Sequence, residues 1–246
     1  MPVIGICSGK GGVGKTTVAA NVSVALSDFG SVVVVDGDVA LPNLHTIFGL
    51  EPTLTLVDVL GGKAGVREAV YRMRTGDYSV DVLPSSQAHD EVGKLEKFPE
   101  ILKELEEDYD FVIVDVAAGL SSYALIPMMG CEELYLVVNP EETSIMDAWR
   151  VKKVIDRLPA RFEGVILNRY RGEKWAVAAV ERKLGRIVGI IRESKSVRKG
   201  WEEGYVVTAV KPEAKVSEEF YNLARRIAGE NIHPKPYGRL KYLLRL

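Results

Sequence analysis

Two rhythms alternate along the chain. Short apolar runs rich in valine and isoleucine stand at 2–7 (PVIGIC), 31–36 (SVVVVD), 78–84 (YSVDVLP), 110–115 (DFVIVD), 133–138 (ELYLVV), 162–168 (FEGVILN) and 186–191 (RIVGII). Runs of this length and composition predict strands buried on both faces. Between them, apolar residues recur at helical spacing and predict helices over 16–29, 95–107, 121–129, 142–157, 174–184, 194–203 and 213–229. In the first of these, Val18, Val22, Ala25, Leu26 and Phe29 share a face, and Gly30 reads as the residue that ends it. Such alternation predicts an α/β fold, a mostly parallel β-sheet with helices on both faces. Residues 40–77 read as short helices inserted after the second strand. The expected division is one domain over 1–230 and a C-terminal tail over 231–246.

Sheets of this kind bind ligands beyond the C-terminal ends of their strands. That points to the loop after the first strand and to Asp36, Asp115, Asn139 and Asn168 at later strand ends. The loop is SGKGGVGKTT, residues 8–17. Gly9-Lys10-Gly11-Gly12-Val13-Gly14-Lys15-Thr16 fits the phosphate-loop pattern G-x-x-x-x-G-K-[ST], between a predicted strand and a predicted helix. Glycines let backbone N–H groups crowd around phosphate oxygens, and the helix that follows adds its positive end. Lys15 is expected to reach the β- and γ-phosphates, and the Thr16 hydroxyl to hold Mg²⁺. Thr17 completes the loop.

Carboxylates should face this loop. Asp115 ends the FVIVD run, where a P-loop protein places the acid that holds Mg²⁺ directly or through water. Ala118-Gly119 would let the loop after it swing close to the γ-phosphate. Asp38 lies two residues past the second predicted strand and could orient an attacking water. Asn168 has an amide that both donates and accepts, which suits a purine edge and equally suits an ordinary turn.

Composition narrows the function classes. Of the 246 residues, 47% are hydrophobic and 27% charged, as in a soluble globular protein, and the net charge of −2 argues against a general grip on nucleic acid. The two cysteines, Cys7 and Cys131, form no C-x-x-C or Cys/His cluster and read as core residues. No apolar run approaches the length of a membrane span, and the first strand begins at once, leaving no room for a leader. A cytoplasmic protein is expected.

Taken together, KGGVGKTT (10–17), DGDVALPNLHTIFGL (36–50), DVAAGL (115–120), NPEETSIMDAWRV (139–151) and LNRY (167–170) resemble the MinD/ParA group of deviant Walker A ATPases, with a pattern nearest its archaeal MinD members. The resemblance covers roughly residues 1–230. It implies an ATPase switch that binds Mg-ATP, forms a homodimer around the nucleotide, hydrolyses it and controls spatial positioning, such as cell division. Lys10 would be the signature lysine that reaches phosphates bound by the other subunit. Lys10, Lys15 and Asp38 would be the catalytic set, and Thr16, Asp36, Asp38 and Asp115 would surround Mg²⁺. Asn43 matches an asparagine of the first switch, and Asn168 matches the base-reading asparagine. Two positions depart from the family pattern. Ala117 stands where D-x-P-A-G has proline, and Arg192 replaces the proline of the I-P-x-D/E segment that frames adenine. Proline would fix the backbone there, as alanine and arginine do not.

The tail KPYGRLKYLLRL (235–246) could place Leu240, Leu243 and Leu244 on one side of a short helix, with Lys241 and Arg245 on the other. It reads either as a helix on an anionic membrane surface, making the protein peripheral on the cytoplasmic face, or as a strap on the body. An unidentified protein partner or activator is also implied. Two other functions would use the same loop: metallocluster carriage, which needs exposed cysteines, and small-molecule phosphorylation.

Overall fold

The computed structural model describes residues 2–87 and 91–229. In chain order the elements are β1 (Val3–Ser8), α1 (Lys15–Leu26), β2 (Val32–Gly37), α2 (Leu44–Ile47), α3 (Leu56–Gly61), β3 (Tyr71–Thr75), β4 (Tyr78–Leu83), α4 (Phe98–Asp108), β5 (Phe111–Val116), α5 (Ser122–Met129), β6 (Glu133–Val138), α6 (Glu142–Ile155), β7 (Arg161–Tyr170), α7 (Lys174–Lys183), β8 (Ile187–Arg192), α8 (Lys195–Glu203), α9 (Val207–Val210) and α10 (Lys215–Ile227). Short 3-10 helices, Val66–Ala69 and Glu91–Lys97, precede β3 and α4.

One sheet holds the strands in the order β3-β4-β2-β5-β1-β6-β7-β8. All neighbours run parallel except β3 and β4. Side chains alternate across it. Ile4 and Ile6 of β1 pack towards α1, α9 and α10, whereas Val3 and Cys7 pack towards α3 to α7. Every residue of β1, β2, β5 and β6 is buried, as expected for strands covered on both faces. Both cysteines lie in the core.

Three sequence expectations need correction. The segment 40–77 does hold α2 and α3, but it ends in β3, an antiparallel edge strand joined to β4 through Gly76, whose φ is +60°. α1 ends at Leu26, not near Phe29, and Gly30 is not its left-handed terminus. A Cβ on Gly30 would meet Asp110 Oδ2 at 2.6 Å, so this glycine makes room for the carboxylate that accepts from Ser31 N–H. The short α9 was not expected. Residues 237–246, read as a membrane helix or strap, lie outside the described residues.

Candidate functional site

Because β1, β2, β5, β6 and β7 are parallel, their C-terminal ends bring Ser8, Asp36, Asp115, Asn139 and Asn168 to one edge of the sheet. The loop from Ser8 to Gly14 rises from β1 and turns into α1. Gly12 and Gly14 have φ of +78° and +93°, values that side chains disfavour. A Cβ on Gly11 or Gly12 would meet nothing within 4 Å, so the loop opens onto free space. Gly9 is needed for a different reason. A Cβ there would lie 2.3 Å from Ala148 N and from the Asp147 carbonyl carbon, so α6 presses directly on the loop.

Lys15 is buried at the floor of the loop, with Nζ 3.5 Å from Asp115 Oδ1. Thr16 donates its hydroxyl to Asp115 Oδ2 at 2.5 Å. Asp36 and Asp115 are register partners on adjacent strands, so their carboxylates share the α1 side of the sheet. Burial pushes Asp36 up to about 8, and the neighbouring Asp115 pushes the same way. Burial likewise raises Asp115, against the opposing pull of Lys15 and the Thr16 hydroxyl. For Lys15 burial works downward, but Asp115, Asp38 and Asp36 outweigh it and hold the ammonium above its usual range. One ammonium faces three carboxylates, and the cluster is short of positive charge.

Asp36 spends its oxygens on the backbone. It accepts from Asp38 N–H at 3.1 Å, Asn43 N–H at 3.1 Å and Leu44 N–H at 3.0 Å, which folds residues 38–44 over the cleft and starts α2. Asp38 accepts from Leu41 N–H at 3.0 Å, and the Asn43 amide donates to Leu41 O at 2.5 Å. The loop after β5 is tied back by Gly119 N–H to Ser8 O at 3.0 Å, with Gly119 at φ +84°. Ala117 is buried at its base.

Asn168 is buried and donates to Val13 O at 2.8 Å. A Cβ on Gly14 would meet its Nδ2 at 2.4 Å. The next residue, Arg169, has φ +55°, and the β7–β8 register shifts here, which turns the amide onto the loop. The second amide N–H and the carbonyl oxygen of Asn168 are left for another partner. A cleft of about 630 Å³ runs from Gly11–Thr17 past Asp38, Asn43 and Asn168 to Ile191–Ser194, Val197, Arg198 and Trp201. The last three were not identified from the sequence. They sit on α8, whose packing on α2 and α9 is a tertiary event without a local signal.

Lys10 stands apart from this cluster. Its ammonium donates to Glu141 Oε2 at 2.8 Å and Thr143 Oγ1 at 3.3 Å, at the start of α6, and its side chain stays one-third exposed. Cys131 is buried and donates to Pro127 O at 3.2 Å. With Cys7 also buried, neither sulfur is presented as metallocluster carriage would require. Among the described residues no three His, Cys, Asp or Glu side chains converge on one metal position. Thr16 and Asp115 do supply the hard oxygens that Mg²⁺ takes alongside phosphate and water, so the donor set fits that ion.

Comparison with known proteins identifies the family. Residues 4–207 match the CobQ/CobB/MinD/ParA nucleotide binding domain. An uncharacterised ATP-binding protein of Methanocaldococcus jannaschii is 36% identical over 233 residues, covering 92% of this chain and 87% of that one. The septum site-determining protein MinD of Pyrococcus horikoshii, solved with Mg-ADP, superposes with a TM-score of 0.84 at 36% identity, over 92% of this chain and 95% of that one. MinD in the MinC:MinD cell division complex of Aquifex aeolicus superposes with a TM-score of 0.84 at 31% identity, over 96% and 99%. The chain belongs to the MinD/ParA family of P-loop nucleotide-binding proteins.

Proposed function

We propose that the protein is an ATP-driven switch: it binds Mg-ATP, pairs with a second copy around the nucleotide, hydrolyses it, and uses the cycle to place a partner or surface structure in the cell, as in division. The observation that carries this reading is the pairing of a buried Lys15–Thr16–Asp115 cluster with a second lysine, Lys10, held outside it. The loop amides and Lys15 would bind phosphates, and Gly12 and Gly14 leave the backbone free to approach them. Thr16 and Asp115 would hold Mg²⁺, with Asp36 and Asp38 behind them. When bound, the ion supplies charge neutralisation at the phosphate oxygens.

Lys10 fits a role between subunits. Its present partners, Glu141 and Thr143, are solvent-accessible, and such a pair contributes about 0–1 kcal/mol. Releasing it towards a phosphate of a second copy therefore costs little. Leu41 and Leu120, which are 69% and 39% exposed, would gain cover in such a pair. The complex of MinD with MinC supports a protein partner of similar kind. Among the described residues no helix is long and apolar enough to cross a membrane, and the proposed tail contact concerns residues 237–246.

Asp38 lines the cleft beside the loop and would hold the attacking water. Asp38→Ala is expected to bind ATP within about threefold of wild type while hydrolysis falls about 100-fold or more, the range for losing a positioned base. The dimer should then accumulate. Single-turnover assays with labelled ATP check this. Unchanged hydrolysis removes Asp38 from the mechanism, and label transferred to a small molecule instead of water establishes a kinase.

A further inference from the structure

Beyond the phosphate loop, the nucleotide cleft is closed by a thin wall. Arg192, Glu193, Ser194 and Arg198 line the cleft of about 630 Å³ on one side and a second hollow of about 880 Å³ on the other. A segment with open space on both faces keeps its position only if something holds it. The pairing of Arg192 with Tyr170 at the end of the β7–β8 ladder holds its start, and two carboxylate contacts that differ in strength add to it.

Glu193 donates its backbone N–H to Tyr170 O at 3.0 Å, and its side chain pairs with Arg171. Those side chains are 38% and 69% exposed, so water screens the pair and its contribution is small. Glu219 is different. Its side chain is only 14% exposed. One oxygen accepts the backbone N–H of Arg192 at 2.8 Å and the other pairs with the Arg192 guanidinium. Both contacts are charge-assisted, and together they fix main chain and side chain at once.

The anchor itself is rigid. Glu219 projects from α10, which buries Val216, Phe220, Leu223, Ala224 and Ile227. That helix packs on both α1, which begins at Lys15, and β8. Glu219 therefore ties the far wall of the cleft to the body that carries the phosphate end.

We infer that Glu219 is a positioning residue that holds the Arg192–Ser194 wall against the nucleobase and thereby sets nucleotide affinity and base selectivity. The inference rests on the ATP reading of the cleft. It also accounts for arginine at a position where a proline would stiffen the backbone: the tether to α10 supplies the stiffness. Proline at 192 would remove both the N–H and the guanidinium that Glu219 receives, while fixing φ directly.

The test is calorimetric titration of the full chain with ATP and with GTP, for wild type, Glu219→Gln, Glu219→Ala, Arg192→Pro and the Arg192→Pro/Glu219→Ala pair, with melting temperatures alongside. Glu219→Ala should weaken ATP binding about five- to tenfold and narrow the ATP/GTP ratio. Glu219→Gln, whose amide oxygen still accepts from the backbone, should fall between. In the Arg192→Pro background, which lacks both groups that Glu219 receives, adding Glu219→Ala should change ATP affinity and the ATP/GTP ratio by less than about twofold. A lowered melting temperature with an unchanged ATP/GTP ratio, in either Glu219 variant, would overturn the proposal and leave Glu219 as a structural pair. An equal loss in the Arg192→Pro background would do the same. Wild type that binds neither nucleotide would overturn the ATP reading and the proposal with it.

Discussion

Lys15→Ala is expected to lower ATP affinity by at least about 100-fold, equivalent to about 2.7 kcal/mol. Lys15 is the sole lysine in the buried cluster at the loop floor, and truncating one partner of a desolvated charge pair costs about 2–5 kcal/mol. A second effect goes with the first. Without nucleotide, Lys15 offsets the charge of Asp115, Asp38 and Asp36, which all raise its affinity for the proton. Its removal leaves the buried Asp115 without its cation, and protonation is its remaining escape. The melting temperature of the unliganded variant should therefore fall as well, and fall more at neutral than at acidic pH. Calorimetric titration and thermal melts check the two parts. Affinity within about threefold of wild type, roughly 0.65 kcal/mol, rules out Lys15 as the main phosphate cation.

Lys10→Ala should behave in the opposite manner. Its ammonium touches Glu141 and Thr143 at the protein surface and makes no contact with Asp115 or Asp36. Folding and ATP binding by the single chain should stay within about threefold of wild type, the scale of an exposed pair. What should disappear is ATP-dependent pairing and, with it, turnover. A cation delivered in trans to a transferring phosphoryl group is worth about 10³-fold or more in rate, so turnover should fall to near background. Sedimentation with ATP and steady-state phosphate release measure the two losses. A variant that pairs and hydrolyses normally makes Lys10 an ordinary loop lysine.

The contrast between the lysines also marks what the sequence could tell. Lys15 was readable from spacing alone, because a glycine loop between a strand and a helix has one well-defined use. Lys10 has no such local argument. Its proposed target lies in another molecule, and only the resemblance to a family suggested it. Asn168 falls between the two. As a strand-end asparagine it was ambiguous, and the contact with Val13 O, made possible by the left-handed turn at Arg169, puts it against the loop.

The same distinction applies to the fold. The central strands were legible because burial on both faces demands continuous apolar runs, as in Val32–Val35 and Phe111–Val114. β3 was missed because Tyr71–Thr75 is an edge strand, half-exposed and carrying two arginines, so the apolar signal is absent. The Gly76-Asp77 pair beside it was the available turn signal. Glu219 had no signal at all. It meets Arg192 across 27 residues of sequence, through a helix whose placement is decided by packing on α1 and β8.

The most direct test of the account is the mass of the full-length protein in solution with Mg-ADP and with Mg²⁺ plus a non-hydrolysable ATP analogue. The account predicts a single chain with ADP and twice that mass with the analogue, the doubling being lost in Lys10→Ala although the nucleotide remains bound. One unchanged mass in both states, with nucleotide binding confirmed, would contradict it.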